Sequence, residues 1–132
     1  MVAELGHTGN PLVLYIDDDA SSRYLVSELI GGHTSYQIAT AGSLSEGLQA
    51  CDGVSPSLIL LDMNLAQTSG HDVLQTIRHD PDLADLPVIA LSGQVFKEDV
   101  DSAINAGFDG YVMKPINIKE LIETLQRFLA QI

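Results

Sequence analysis

The feature that most restricts the fold is a short apolar run that stops on a carboxylate. Leu58-Ile59-Leu60-Leu61 follows Pro56-Ser57 and ends at Asp62. Four consecutive apolar residues place apolar groups on both faces of a strand, so both faces must be covered. Leu12-Val13-Leu14-Tyr15-Ile16 repeats the pattern and stops at Asp17-Asp18-Asp19. Val88-Ile89-Ala90-Leu91 stops at Ser92-Gly93, and Tyr111-Val112-Met113 runs into Lys114-Pro115, where Pro115 leaves a cis bond possible. A β-favouring piece at Tyr36–Ala41 completes the set. A helical pattern follows each strand, which predicts an α/β domain with a doubly wound, parallel five-stranded sheet, (βα)5. The expected strand order is 2-1-3-4-5. The carboxyl ends of the strands form the functional edge of such a sheet, so Asp17, Asp18, Asp62, Ser92 and Lys114 should meet in one crevice.

The helical segments are read from apolar spacing and punctuation. Ser21–Ile30 carries Tyr24, Leu25, Leu29 and Ile30 at helical spacing, and Gly31-Gly32 should stop it. Leu44–Cys51 opens on Ser43-Leu44-Ser45-Glu46, the spacing of a capping box, with Cys51 as a small packing residue near its end. Gly70 lets the chain turn into His71–His79, whose inward face is Val73, Leu74 and Ile77. His71 and His79 have no Cys or third His beside them and read as surface side chains rather than metal ligands. Val95–Ala106 has Val100, Ala103 and Ile104 on one side and closes at Gly107. Asn117–Gln131 bears an apolar stripe suited to a helix laid on a sheet.

Composition bounds the function. The 132 residues suit one domain, expected over 12–132 behind a polar lead-in at 1–11. Six basic against 18 acidic residues give a net charge of −12, which argues against direct nucleic-acid binding and suits cations or basic partner surfaces. The single cysteine excludes an internal disulfide and fits a reducing cytoplasm. No apolar run reaches the length of a membrane span, and Met1–Asn10 lacks the pattern of a secretory signal, so the expected location is cytoplasmic with no membrane partner.

The polar strand ends have a common chemistry. Adjacent carboxylates repel one another and call for a hard divalent cation, and Mg²⁺ prefers oxygen ligands. The simpler alternatives are an acidic helix start at Asp17–Asp19 and a turn residue at Asp62. Lys114 could likewise be a surface salt-bridge partner. Taken together, carboxylates, a lysine and a serine hydroxyl can hold a phosphoryl group in line with a carboxylate nucleophile, the equipment for phosphoryl transfer to Asp62.

These motifs resemble the receiver (response regulator) domain of two-component signalling. The resemblance runs from Leu12 to Leu129. It rests on Ile16-Asp17-Asp18, Leu61-Asp62-Met63-Asn64-Leu65 with Gly70, Leu91-Ser92-Gly93 and Tyr111-Val112-Met113-Lys114-Pro115. It implies a flavodoxin-like, CheY-like fold and a phosphoacceptor signalling domain rather than an enzyme. By resemblance, Asp62 is the phosphoacceptor, and Asp18, Asp62 and the backbone carbonyl of Asn64 are direct Mg²⁺ ligands. Asp17 would act through a water, Ser92 would bond the phosphoryl group, and Lys114 would pair with it. Tyr111 matches the aromatic switch residue that responds with Ser92. The implied partners are a histidine kinase or histidine phosphotransfer protein and a downstream effector. Output, and a homodimer where one forms, would use the face made by Val95–Ala106, Tyr111–Met113 and Asn117–Gln131. The chain departs from the family where Pro is frequent at Ala66, Thr at Ser92 and Ala at Gly93, and none of these removes a chemical group. From its extent the expectation is a receiver without an output domain, although a receiver cut from a hybrid histidine kinase or larger regulator would look the same. A flavin binder of this fold needs a phosphate-cradling loop after the first strand, where Asp17-Asp18-Asp19 would repel the phosphate. An aspartyl-phosphate phosphatase resembles a pattern with a second Asp two residues after the nucleophile, and that position holds Asn64, which cannot shuttle a proton.

Overall fold

Five parallel strands run in the order β2-β1-β3-β4-β5. They are β1 (Leu12–Ile16), β2 (Gln37–Ala41), β3 (Leu58–Asp62), β4 (Val88–Ser92) and β5 (Gly110–Met113). The computed structural model describes residues 10–51, 53–65, 68–93 and 104–129. Four helices are described in full: α1 (Ala20–His33), α2 (Leu44–Ala50), α3 (Gly70–His79) and α4 (Ile118–Phe128). Of the helix expected over Val95–Ala106, residues 104–106 are helical and the rest lies outside the described residues, as do Ala66 and most of the lead-in. Among the described residues, no helix is long and apolar enough to cross a membrane.

The period-two alternation of the strands sorts the core into two layers. Leu12, Leu14, Ile16, Ile59 and Leu61 face α2 and α3 and pack with Val73, Leu74 and Ile77. Val13, Tyr15, Leu58, Leu60, Ile89 and Leu91 face the other way, against Val26 and Ile30 of α1 and Leu121 and Leu125 of α4. Each fully buried Leu, Ile or Val contributes roughly 1.5–3 kcal/mol relative to exposure. Covering on both sides is what the unbroken apolar runs required.

Four residues cap the helices in the same way. The side chains of Asp19, Ser43, Ser69 and Asn117 accept from the amides of Ser22, Glu46, Asp72 and Glu120. Each such cap stabilises by about 1 kcal/mol. Only the Ser43 cap was marked by its spacing in the sequence.

Helix α1 departs from expectation twice. It runs through Gly31-Gly32 to His33 and ends at Thr34, whose amide and hydroxyl both donate to the carbonyl of Ile30, at 3.0 and 2.8 Å. Neither glycine takes the left-handed conformation that would end a helix; among the described glycines, positive φ occurs at Gly53 and Gly107. Its phase also differs. Val26 and Ile30 are buried, whereas Tyr24 and Leu25 are 70% and 50% exposed. The cap at Asp19 sets the start, and Arg23 reaches back to the carbonyl of Asp17 at 2.6 Å, which turns Tyr24 and Leu25 outward.

At the edge of the sheet where the strands begin, Arg78 joins three segments. Its Nη1 donates to the carbonyls of Ala84 and Leu86 at 3.0 and 2.8 Å. Its Nη2 donates to the carbonyl of Gly107 at 2.7 Å and to Asp109 Oδ2 at 2.9 Å. Asp109 Oδ2 in turn accepts the amide of Val88, the first residue of β4.

Candidate functional site

Each polar group at the opposite edge is delivered by the end of a buried strand. Asp17 follows β1, and its amide continues the ladder by donating to the Ala41 carbonyl at 3.0 Å. Asp62 is the last residue of β3, pairs in register with Leu91 and is 2% exposed. Ser92 ends β4 and is buried; its carbonyl accepts the Lys114 amide at 2.8 Å, which seats Lys114 just past β5. The Lys114–Pro115 bond is cis.

The Lys114 ammonium lies 3.2 Å from Asp62 Oδ1 and 3.6 Å from Asp17 Oδ2. Asp17, Asp18 and Asp62 each present a carboxylate oxygen within 4.8 Å of the others. Asp17 and Asp62 are buried while Asp18 is exposed at the mouth. Burial pushes the Asp62 carboxyl above the usual carboxylate range, and the charge of Asp17 adds to the rise. The Asn64 amide, which donates to Asp62 Oδ1 at 3.2 Å, and the Lys114 ammonium act against it. One ammonium against three converging carboxylates leaves a net negative, oxygen-lined cleft. That donor set fits a hard divalent cation such as Mg²⁺.

Asp19 does not join the cluster. It caps α1, accepting the Ser22 amide at 3.1 Å and hydroxyl at 2.6 Å, and these bonds lower its pKa. The helix-start alternative therefore holds for the third aspartate of the run but not for the first two. Tyr111 is half-buried on β5, in register with Ala90 and packed against the layer that holds α2 and α3. His71 and His79 are exposed, away from any cluster with metal-ligand spacing among the described residues.

Gly70 sets how closely α3 approaches the site. A Cβ there would stand 2.7 Å from Met63 Sδ, 2.9 Å from Met63 Cα and 3.3 Å from the carbonyl oxygen of Asp62. The Met63 thioether can move, but the backbone beside Asp62 cannot without shifting the end of β3. Gly70→Ala is expected to lose roughly 1–3 kcal/mol, the usual cost of overpacking, read as a lower midpoint in urea unfolding.

One group escaped the sequence reading. Tyr15 reads in the sequence as an apolar strand residue, yet its hydroxyl donates to Asp17 Oδ2. The available signal was period two: residues 15 and 17 point to the same face, and a buried phenol needs an acceptor.

Residues 13–126 match the response regulator receiver domain family. The chain belongs to this family. The receiver is 31% identical over 117 residues to the polar-differentiation response regulator DivK of Brucella ovis, covering 89% of this chain and 94% of DivK. Its fold matches the chemotaxis response regulator CheY4 of Vibrio cholerae with a TM-score of 0.80 and 27% identity, over 91% of this chain and 99% of that one. The receiver domain of the sensor histidine kinase PA1611 of Pseudomonas aeruginosa shares the fold at a TM-score of 0.77 and 21% identity, over 90% and 97% of the two chains. Receiver domains are signalling modules of two-component systems, and the acidic cluster at the strand ends is the place where this one could hold a metal ion.

Proposed function

We propose that Asp62 is the phosphoacceptor of this receiver, taking a phosphoryl group from a histidine kinase or histidine phosphotransfer protein. The observation that carries the reading is the contact of Lys114 Nζ with Asp62 Oδ1 at 3.2 Å, inside a cleft where Asp17 and Asp18 converge on the same carboxylate. An Asp62 carboxylate oxygen attacks phosphorus, the bond from phosphorus to the donor nitrogen breaks, and its electron pair stays on the donor imidazole. Lys114 exchanges its contact with the carboxylate for one with a phosphoryl oxygen, and the Ser92 hydroxyl donates to another. Asp18, Asp62 and the Asn64 carbonyl would hold Mg²⁺, with Asp17 acting through a water. When bound, the ion supplies charge neutralisation for the phosphoryl oxygens.

Asn64 cannot act as a proton shuttle, so nothing at that position speeds hydrolysis, and the phosphorylated form persists as a signal rather than turning over as in a phosphatase. Movement of Ser92 toward the phosphate and a matching turn of Tyr111 shift the population of the face that includes β5 and α4. That face would engage the effector or a second copy. The domain spans 12–132 and works in the cytoplasm, in keeping with a single, buried cysteine.

The test is incubation with a small phosphodonor and Mg²⁺, followed by intact mass measurement. One phosphoryl group is expected on the parent and none on Asp62→Asn. Equal labelling of the variant would overturn the assignment.

A further inference from the structure

We propose that Tyr15 is a positioning residue of the phosphorylation site, its hydroxyl orienting Asp17 so that Lys114 stays on Asp62. The inference rests on the reading that Asp18, Asp62 and the Asn64 carbonyl hold Mg²⁺, with Asp17 acting through a water. It concerns a residue that neither the acidic motif nor the phosphoacceptor motif contains.

The Tyr15 ring is fully buried in the layer with Val26, Ile30, Leu58 and Leu60. A phenylalanine would supply the same apolar ring, so packing explains the ring and leaves the hydroxyl to be explained. That hydroxyl donates to Asp17 Oδ2. The Asp17 carboxylate is 1% exposed, and water cannot satisfy it freely. Its Oδ1 accepts the Asp19 amide at 2.9 Å, and its Oδ2 accepts the phenol. Donors on both oxygens fix the plane of the carboxylate. They also settle the sharing of the ammonium, because Oδ2 already has a close neutral donor while Lys114 stands 3.6 Å from it and 3.2 Å from Asp62.

Without the hydroxyl, a buried carboxylate oxygen loses a donor, an expensive state to leave uncorrected. The Lys114 ammonium stands 3.6 Å from Asp17 Oδ2, and closing on Asp17 draws it away from Asp62. A metal site then meets a carboxylate that is differently oriented and more tightly paired. Removing an outer-sphere partner of a metal-site ligand typically weakens binding about 10–100-fold. The expected effect for Tyr15→Phe is near the lower end, about tenfold, because Asp17 keeps the Asp19 amide.

Calorimetric titration of the full chain with Mg²⁺ provides the test, using the parent, Tyr15→Phe, Asp17→Asn and the double variant. Tyr15→Phe should raise the dissociation constant about tenfold. The same change in the Asp17→Asn background should move it by less than about twofold, since the group through which Tyr15 acts has been altered. Tyr36→Phe removes a hydroxyl from the same layer without touching the site and should leave the constant unchanged. Tyr15→Phe binding like the parent would overturn the proposal, and so would an equal shift with and without Asp17, even if the variant melts lower. A parent that binds no Mg²⁺ would instead sink the metal-site reading beneath it.

Discussion

Replacing Arg78 by alanine is expected to cost about 2–4 kcal/mol of folding stability, with labelling of Asp62 intact in the cold. One guanidinium serves the carbonyls of Ala84, Leu86 and Gly107 and the carboxylate of Asp109. Hydrogen bonds to a charged group are worth roughly 1.5–3 kcal/mol when sequestered. Here the two side chains of the ion pair are 24% and 39% exposed, so water recovers part of each loss. What water cannot restore is the joining of the 80–87 loop, the entry to β4 and the entry to β5 by one planar fork. Arg78→Lys keeps the charge but offers a point donor, and should recover less than half of the loss. Urea unfolding of the three proteins measures this directly, and for a domain of this size the alanine variant should melt roughly 10 °C lower. An alanine variant within about 0.5 kcal/mol of the parent would show that solvent replaces the fork completely.

Asp62→Asn should melt at a higher temperature than the parent in metal-free buffer at neutral pH, and should gain less from Mg²⁺. The folded protein raises the Asp62 pKa, first because the carboxyl is buried and further because Asp17 is close. A raised acid pKa means the folded state holds its proton more tightly than the unfolded chain. Stability is therefore fully present below the ordinary carboxylate value of 3.8, and it is lost as pH rises from there through the raised value. Asparagine cannot ionise, so the variant escapes that loss and its stability should be flatter across the same interval. Mg²⁺ at about 100 times its dissociation constant stabilises by roughly 2.7 kcal/mol. The parent should show that rise and the variant most of its absence. Thermal melts of both proteins across the acid-to-neutral range, with chelator and with excess Mg²⁺, check all three expectations. A parent insensitive to Mg²⁺ alongside a variant no more stable than it would remove the ionised cleft from the account.

The sheet and the site were largely legible because four apolar runs each stop on a polar group, and strand order then brings those groups to one edge. Physical detail beyond that edge depended on three-dimensional context. Asp19 looked like a third member of the acidic group, but a cap needs an aspartate just ahead of α1, and local hydrogen bonding won. Tyr24 and Leu25 looked like part of a buried stripe, but the reach of Arg23 to the Asp17 carbonyl set the helix phase. Repulsion between carboxylates is visible in the sequence, but the first cause of the raised Asp62 pKa is loss of solvent around it, with the charge of Asp17 a smaller one. Tyr15 was hidden because a phenol in an apolar run reads as one more ring until its neighbour across the pleat is known. The contact of Arg78 with Gly107 and Asp109 spans some thirty positions and leaves no local signature.

The two sides of the cleft differ in stiffness. On the β1 side, the Asp17 carboxylate is held by a phenol and an amide, and its own carbonyl is held by Arg23 from the first turns of α1. On the far side, Lys114 is a long side chain that is 31% exposed and shared between two carboxylates, fastened through its amide to Ser92. A force applied between the two walls, such as the arrival of a doubly charged group on Asp62, meets an anvil on one side and a spring on the other. The displacement would fall on the compliant wall, so under the proposed phosphorylation of Asp62 the direction of motion would follow from how Asp17 and Lys114 are held.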